Sequence, residues 1–422
     1  MLQRYIGNKQ QILPEVLAAI SHYARPGQLV CDAFSGTLAV SLALKAAGYK
    51  VASNDSNFFS YIYGLAYLRP HTLPEVASEA IIGRREHHAL SKEAKAQIDH
   101  LQGQPGFHFL RKPQNALRYA GLLTLIRFLQ GVEEAYLPRS ERRSHIFSTY
   151  TEQGNNSAFV SLRGTEGRRR FFSAENGKRI DIILNILRLW WREKQICDQT
   201  HATLACVLMD AIGKVSNTQG TYHDFPRGFI DQRALKPITL LPPAMDGALS
   251  SRLQHILGCE EDSTEFIKKI PSHAVLYLDP PYNFRQYSAY YFLPNVICKY
   301  HTIIDLDSYF AGVKHVRGQN MDDSFDSVFC KRNAFIPALE QLVSSSKARV
   351  VVLSYFDGRN HWNDHINGSG TKGFQNLSAF FKSGLFQRGS FSNQPVSRQN
   401  YQSYGGYKAD RIAEYILSAK RK

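Results

Sequence analysis

A short apolar stretch that ends in two prolines constrains the fold of this chain more than any other feature. Residues 275–278 (VLYL) are typical of a buried parallel strand, and Pro280 and Pro281 prevent that strand from continuing. Asp279 and Tyr282 are therefore expected at the carboxyl end of a strand, where open α/β sheets bind ligands. Asp279 and the Pro280 carbonyl group can accept hydrogen bonds from the exocyclic amino group of a planar base, while Tyr282 stacks on its ring. A proline-rich turn after a core strand is the structural alternative.

A strand, turn, helix and strand near the start of the sequence predict half of a nucleotide-binding fold. The strand 29–31 runs into the turn DAFSGT at 32–37, and an apolar helix follows. A second strand at 51–53 ends at Asp55. This order of elements is that of a βαβ unit with an acid at the end of its second strand.

The residues of this unit favour an adenosine-type ligand. Ser35 and Gly36, which follow Asp32 and Phe34, are small enough to let a ligand approach the backbone, and Asp55 can hold both hydroxyls of a ribose. The sequence lacks GxGxxG and GxxxxGK[ST], which are typical of pyrophosphate-binding sites. S-adenosylmethionine, which has no pyrophosphate, therefore fits better than a dinucleotide. A purely structural βαβ unit is the alternative.

The charge of the chain favours a polyanionic partner. The 422 residues include 51 Lys and Arg against 36 Asp and Glu, which gives a net charge of +15. Such an excess favours binding to phosphates because condensed counterions are released, although a basic surface without a partner is also common. The six cysteines are scattered without a CxxC pair, so we expect neither a metal site nor disulfides. No apolar run suggests a signal peptide or a membrane span, and we expect a cytoplasmic protein.

The middle of the chain has a different character. Residues 139–170 are rich in arginine and contain interleaved aromatic residues, a composition that suits phosphate contact and base stacking. A flexible solvated surface is the competing interpretation. Helical apolar patterns follow at 180–189 and 204–212, and the polar stretch 215–222 (VSNTQGTY) predicts a turn or a hairpin.

The predicted fold class is therefore α/β, with a Rossmann-like sheet and a large mixed helix and loop insertion. Further strands are predicted at 349–355 and 411–418. We predict a core formed by residues 1–70 and 271–422, interrupted by an insertion at 71–270. Tyrosines crowd the stretch after the two prolines, together with Arg285, and this density suits a pocket for an unstacked base.

Taken together, these stretches resemble the Dam-type (alpha-group) adenine-specific DNA methyltransferases. Each matching motif is short, but their order and spacing make the resemblance specific. It covers both ends of the chain and part of the insertion. The matching motifs are RYIGNK at 4–9, DAFSGT at 32–37, SND at 53–55, VSNTQGTY at 215–222, DQRALKP at 231–237, DPPY at 279–282, LSY at 353–355 and EYIL at 414–417.

The resemblance implies a class I methyltransferase sheet that transfers a methyl group from S-adenosylmethionine to the 6-amino group of adenine by in-line displacement. It implies that Tyr5 and Lys9 line the cofactor site, together with Asp32, Phe34, Ser35 and Gly36, and that Asp55 binds the ribose. Asp279, Pro280, Pro281 and Tyr282 would form the catalytic motif that holds the flipped adenine, with Asp279 also near the cofactor. The family often has a second glycine where this chain has Leu38, so we expect Leu38 to narrow or reshape the methionine end of the cofactor pocket.

The implied substrate is double-stranded DNA, with the stretch at 215–222 as a hairpin that contacts it. A cognate restriction endonuclease or the proteins of a defence system are the expected partners. The candidate DNA-contacting residues are Arg168, Arg169, Arg170, Asn217, Tyr222, Arg227, Arg233, Arg285 and Tyr287.

Three other functions fit the same residues. Cytosine also has an exocyclic amine, although a motif beginning with Ser in place of Asp279 would favour that base. RNA is an alternative substrate because basic and aromatic side chains also suit single strands. A non-catalytic DNA-binding subunit with a methyltransferase-like fold is the third, and it would predict decay of the acids that this chain retains.

Overall fold

The strands predicted from the sequence are present in a computed structural model, which describes residues 5–356, 360–362, 372–399 and 411–422. Arg4, the first residue of the RYIGNK motif, lies outside the described residues. The strands are β1 (Leu29–Asp32), β2 (Lys50–Ser53), β3 (Ala158–Val160), β4 (Glu166–Arg168), β5 (Ile256–Leu257), β6 (His273–Leu278), β7 (Ala348–Phe356), β8 (Ser392–Gln399) and β9 (Arg411–Lys420).

Helices account for most of the remaining regular structure, and none in the described ranges is both long and apolar enough to cross a membrane. The helices are α1 (Leu13–Ser21), α2 (Ala39–Ala46), α3 (Phe58–Tyr63), α4 (Ser78–Ile82), α5 (Arg84–Leu101), α6 (Pro113–Gly131), α7 (His145–Tyr150), α8 (Ala174–Arg192), α9 (Asp198–Val215), α10 (Ser263–Lys269), α11 (Tyr287–Tyr290), α12 (Phe292–Lys299), α13 (Leu306–Ala311), α14 (Phe335–Ser345) and α15 (Lys372–Phe381).

The chain forms two compact units. The first unit consists of Met1–Ile6, Leu65–Leu249 and Ser288–Ser324. The second unit consists of Gly7–Gly64, Ser250–Tyr287 and Phe325–Lys422. The first unit thus takes in most of the predicted insertion and also Ser288–Ser324, which follows the two prolines in sequence.

The second unit contains a seven-stranded sheet in the order β5-β2-β1-β6-β7-β9-β8. The strands from β5 to β7 are parallel, and β9 is antiparallel to both of its neighbours. Every residue of β1 and β6 is buried, as expected for parallel strands covered on both faces. The predicted α/β class with a Rossmann-like sheet is confirmed. The strand order reverses between β1 and β6, and such a switch point is where α/β sheets bind ligands.

The first unit is mainly helical, with one small hairpin of β3 and β4. The predicted helices at 180–189 and 204–212 lie within α8 and α9. Ser173 caps the start of α8 because its side chain accepts a hydrogen bond from the backbone of Asn176. Asp181 on α8 is buried and accepts from the backbone nitrogens of Ile146 and Phe147, which holds the start of α7.

Of the two alternatives predicted for 215–222, the structure shows the turn and not the hairpin. Helix α9 ends at Val215, and the described residues that follow form bends without strand pairing. Side chains form hydrogen bonds with the backbone groups of this stretch. The Arg233 guanidinium donates to the carbonyl groups of Ser216 and Thr218, and the Asn217 amide accepts from the backbone of Asp231. These carbonyl groups bond a side chain instead of a partner strand.

Candidate active site

The carboxyl ends of β1, β2 and β6 bring three acids to one edge of the sheet in the second unit. The backbone nitrogen of Asn54 donates to the carbonyl group of Asp32 at 3.0 Å, and that of Ala33 donates to Tyr277 at 3.3 Å. These bonds fix the register at the point where the strands end. Asp32 is therefore the last residue of β1, and Asp55 and Asp279 follow the neighbouring parallel strands β2 and β6.

The turn after β1 is tied to the end of β2. The backbone nitrogen of Ser35 donates to the carbonyl group of Asn54 at 2.9 Å, and that of Gly36 donates to Asp55 Oδ2 at 2.8 Å. Leu38 is buried at the start of α2 with a φ of 64°, in the left-handed region. Glycine adopts this conformation without steric cost, whereas a leucine is strained there. Leu38, the residue at which this chain departs from the family pattern, thus has a strained backbone conformation.

Asp32 is a carboxylate enclosed by protein, with 1% of its surface exposed. Its Oδ2 accepts a hydrogen bond from the Ser41 hydroxyl at 2.7 Å. Burial raises the pKa of Asp32 to about 7; the Ser41 hydrogen bond opposes this rise, and the charges of Asp279 and Asp55 add to it. The site therefore favours a positively charged ligand near this carboxylate.

Asp55 is held by three hydrogen bonds. Its Oδ1 accepts from the backbone and side-chain nitrogens of Asn57, each at 2.9 Å, and its Oδ2 accepts from Gly36. Burial raises the pKa of Asp55, although these bonds favour the charged form. Phe34 lies in the same turn, where its ring packs edge-on against Phe329 with centroids 5.0 Å apart.

Lys9 joins two carboxylates in the interior of the second unit. Its Nζ lies 2.7 Å from Asp279 Oδ1 and 2.7 Å from Glu414 Oε1, and it donates to the Gly7 carbonyl group at 3.2 Å. Lys9 and Glu414 are buried, and Asp279 is half-buried. Burial disfavours the charged ammonium, but the two carboxylates outweigh it and raise the pKa of Lys9 above its usual value.

The rest of the DPPY motif lies beside this ion pair. Pro280 is buried and Pro281 is half-buried. The Tyr282 side chain is 3% exposed, and its ring centroid lies 5.1 Å from that of Phe356 and 5.9 Å from Lys9 Nζ. The tyrosine ring thus packs against the end of β7 and close to the ammonium group.

The two candidates that follow the motif are partly enclosed. The Arg285 backbone nitrogen donates to Asn283 Oδ1 at 3.1 Å, and its carbonyl group accepts from the Cys330 thiol at 3.1 Å. Tyr287 is half-buried, and a β-carbon added at Gly7 would lie 3.6 Å from its hydroxyl group. These contacts place both residues in the second unit.

Tyr5 belongs to the first unit. Its ring stacks on Tyr291 with centroids 4.6 Å apart, and the backbone nitrogen of Ile6 donates to the Tyr291 hydroxyl at 2.7 Å. Its role in cofactor binding stays a prediction.

Three of the candidate DNA-contacting residues lie in the interior of the first unit. Arg169 is 1% exposed, and its guanidinium donates to the carbonyl groups of Asn156, Val313 and His315. Asn217 is fully buried, and Tyr222 is buried as well. Because these three side chains lie in the interior of the first unit, we do not expect them to contact DNA.

The remaining arginines in this set have at least part of their surface in solvent. Arg168 is exposed, and Arg170 is half-buried in an ion pair with Glu152 at 2.5 Å. The Arg227 guanidinium lies 4.3 Å from the centroid of the Phe225 ring. Arg233 is half-buried, and its guanidinium is occupied by backbone carbonyl groups at the end of α9.

Two features of the structure were missed by the sequence analysis. Glu414 was noted only within the EYIL match, although a charged residue inside an otherwise apolar strand signals a buried partner. The hairpin of β3 and β4 was not predicted, although Gly164 with a φ of 76° lies at its turn between short alternating stretches. Leu162 at the hairpin tip is fully exposed.

The sheet order, with an antiparallel β9 and a DPPY motif after β6, is that of a Rossmann-like methyltransferase. Residues 5–335 match the family described as D12 class N6 adenine-specific DNA methyltransferase, and the chain belongs to that family. It is therefore an enzyme that methylates adenine in DNA, as the resemblance implied. Family membership also decides against cytosine, RNA and a non-catalytic role.

Similar proteins include several bacterial methylases. The chain is 25% identical over 354 residues to the Type II methyltransferase M.NlaIII of Neisseria lactamica, across 83% of this chain and 82% of that protein. It is 24% identical over 421 residues to Modification methylase StsI of Streptococcus sanguinis, across 99% of this chain and 52% of that protein. It is 25% identical over 353 residues to the Type II methyltransferase M.FokI of Planomicrobium okeanokoites, across 83% and 44%. The chain thus spans about half the length of the last two.

Proposed function

We propose that this enzyme uses S-adenosylmethionine to methylate the 6-amino group of an adenine that it has taken out of a specific DNA sequence. The observation that carries the proposal is the position of Asp279 and Pro280 at the end of β6, with one oxygen of Asp279 bound by Lys9. An adenine within a duplex is out of reach of such an enclosed group, so the base must leave the stack.

The acids at the sheet edge fit the proposed cofactor. S-adenosylmethionine, when bound, supplies a methyl group activated by a positively charged sulfur. Asp32 is a buried carboxylate whose ionisation a nearby cation would favour, and Asp55 presents oxygens suited to ribose hydroxyls. The small side chains of Ser35 and Gly36 would let the ligand approach the backbone closely at this turn.

The DPPY motif is proposed to act on the adenine. Asp279 and the Pro280 carbonyl group would accept hydrogen bonds from the two N–H groups of the amino group, and Tyr282 would stack on the base. The amino nitrogen shares its lone pair with the ring, and acceptors for its protons make that pair more available as the new bond forms. Acceptors fixed before the reaction stabilise the developing positive charge on the nitrogen.

The hairpin of β3 and β4 is the part of the first unit that we propose to contact DNA. Its root is fixed because Phe159 is buried and lies 6.1 Å from Phe225, between ring centroids. Arg163 at the tip and Arg168 at the end of β4 are exposed. A rigid root with exposed arginines suits contact with phosphates, and the excess positive charge of the chain supports this.

A restriction endonuclease is the proposed partner of this enzyme in the cell. Relatives are named as Type II methyltransferases or modification methylases. We infer that the chain protects the DNA sites that such an endonuclease cleaves. Resistance of DNA methylated by the enzyme to a neighbouring endonuclease would test this role.

Transfer of labelled methyl groups to unmodified genomic DNA tests the proposed reaction. Digestion to nucleosides should give methylated adenine, and mapping should give a single recurring sequence. Asp279→Ala should keep its fold and lose transfer, whereas Asp326→Asn, at an exposed acid of the same unit, should behave as the wild type. Turnover by purified Asp279→Ala would refute the role of Asp279.

A further inference from the structure

Asp224 and Arg227 form an exposed ion pair on the first unit. The Arg227 Nη2 atom lies 2.7 Å from Asp224 Oδ1, which also accepts from the backbone nitrogen of Phe225 at 2.9 Å. The Arg227 and Asp224 side chains are 46% and 56% exposed. An ion pair this exposed contributes little to stability, so stability alone does not account for the order of the two side chains.

Two buried aromatic rings hold the Arg227 guanidinium in place. Its central carbon lies 4.3 Å from the ring centroid of Phe225 and 4.8 Å from that of Phe159. Both rings are buried, and Phe225 also packs edge-on against Phe171 with centroids 4.8 Å apart. A guanidinium with a carboxylate on one side and fixed rings against it loses little conformational freedom when it binds a ligand.

The ion pair belongs to the surface that we propose to contact DNA. Phe159, against which Arg227 packs, lies on β3. Arg170, which follows β4 in sequence, donates from its guanidinium to the Arg227 carbonyl group at 2.6 Å. The loop that carries the ion pair is therefore attached to both sides of the hairpin of β3 and β4, whose tip carries the exposed Arg163.

The ion pair presents hydrogen-bond donors and an acceptor side by side. A guanidinium group has five N–H donors arranged as two forks, and Nη2 contributes one hydrogen to each fork. The contact with Asp224 uses one hydrogen of Nη2, so the other fork stays complete. Within the part of the chain that the structure describes, Asp224 Oδ2 and the Nη1 and Nε atoms of Arg227 have no hydrogen-bond partner.

A G·C base pair offers the complementary groups in the major groove of DNA. Guanine presents the acceptors O6 and N7 to a fork of two donors, and its cytosine partner presents the N4 amino group to a carboxylate. Adenine presents one acceptor beside a donor, which a guanidinium fork cannot satisfy twice. A phosphate could accept from the same fork, but it would lie beside the Asp224 carboxylate and be repelled by it.

We infer that Arg227 and Asp224 recognise one G·C base pair of the DNA target. Arg227 donates to O6 and N7 of the guanine, and Asp224 accepts from N4 of the cytosine. This inference rests on the proposed contact between the hairpin surface and DNA. Arg227 is thus a specificity-determining residue, and Asp224 also positions it because its carboxylate holds Nη2.

Selection of bound duplexes from a random DNA pool tests this inference without methyl transfer. The wild-type enzyme should enrich a sequence that contains a G·C pair. Arg227→Ala should lose the preference at one G·C position and keep the others. Its affinity for the selected duplex should fall by about 5- to 150-fold, the value of one bidentate contact with a base. Arg85→Ala, at an exposed arginine on α5 of the same unit, should select the same sequence as the wild type.

7-Deazaguanine, which lacks the N7 acceptor, locates the contact. At that position of the selected duplex it should weaken binding by the wild type and leave binding by Arg227→Ala unchanged. Asp224→Asn should relax selection at the same position by a smaller factor, because its amide oxygen can still accept from cytosine. The wild-type measurement needs no variant, so it decides the matter even if Arg227→Ala does not fold. Wild-type binding that is unaffected by 7-deazaguanine at every guanine would refute the inference.

A contact with phosphate would give a different pattern. Arg227→Ala would then weaken binding to all sequences alike and reduce the slope of log affinity against log salt concentration by about 1. That result would overturn the inference, and so would a folded Arg227→Ala that keeps the full sequence preference.

The proposed reaction and this inference fail separately, because the selection measures binding alone. An enzyme that selects a G·C-containing duplex through Arg227 but transfers no methyl group would refute the reaction and leave the recognition intact. Methyl transfer to adenine by a wild type that shows no preference for a G·C pair would do the opposite.

Discussion

Replacing Asp32 with asparagine should stabilise the cofactor-free enzyme, and the gain should depend on pH. The folded protein raises the pKa of this carboxyl group to about 7 from its usual 3.8, first because of burial and then because of the nearby Asp279 and Asp55. Between these two values the folded chain holds a proton that the unfolded chain has lost. Stability therefore falls as the pH rises through this range and levels off above about 7.

The size of the effect follows from the same shift. Each pH unit in this range costs the wild type about 1.4 kcal/mol per proton, which is about 2–3 kcal/mol between pH 5 and pH 7. Asparagine cannot ionise, and it can still accept from the Ser41 hydroxyl. The difference in unfolding free energy between Asp32→Asn and the wild type should therefore grow by about 2 kcal/mol from pH 5 to pH 8 in favour of the variant.

Urea unfolding of both proteins at several pH values, without cofactor, measures this difference. Titrating groups that do not interact with Asp32 are common to both proteins and cancel, and the coupled charges of Asp279 and Asp55 contribute less to the shift than burial does. Asp326→Asn, at an exposed acid, should show no such trend. A difference between Asp32→Asn and the wild type that stays constant from acid to neutral pH would refute the argument. The same variant should lose affinity for S-adenosylmethionine, because the neutral amide no longer favours a cation.

Two further predictions separate strain, packing and DNA contact. Leu38→Gly should relieve about 1 kcal/mol of strain from the left-handed backbone, but it removes a buried side chain that contributes about 2–5 kcal/mol to stability. Urea unfolding should therefore show a net loss of stability. A gain would mean that the strain outweighs the packing. Arg169→Met should lower the unfolding free energy by about 3 kcal/mol, while the folded variant binds DNA normally. Arg163→Ala should instead weaken DNA binding and reduce the slope of log affinity against log salt concentration by about 1. Filter binding at several salt concentrations distinguishes the two arginines, and weakened binding by folded Arg169→Met would contradict its structural role.

The core of this fold was predictable because its signals are local. The apolar run before Asp279 and the βαβ unit ending at Asp55 specify buried parallel strands whatever surrounds them, and both formed as expected. The same βαβ pattern also predicted that Ser35 and Gly36 lie in the turn after its first strand. Their positions at the carboxyl ends of strands needed only the rule that parallel strands end at a common edge.

The fate of individual polar residues was less predictable because it depends on tertiary packing. Arg168 and Arg169 are adjacent and chemically identical, yet one is exposed and the other is enclosed by carbonyl groups from a distant segment. Asn217 looked like a turn residue on a DNA-contacting hairpin, but its amide bonds the backbone of Arg170 and Phe229. No local pattern distinguishes such pairs. Likewise, nothing near Glu414 in sequence indicates that Lys9 is its partner.

The ion pairs of Lys9 have a consequence for how the enzyme is made. Lys9, Asp279 and Glu414 are far apart in sequence, with Asp279 after β6 and Glu414 on β9. A ribosome therefore releases the lysine long before its second carboxylate exists. Contacts between residues so far apart in sequence form late in folding. We therefore expect the ion pair between Lys9 and Glu414 to form only after β9 has joined the sheet.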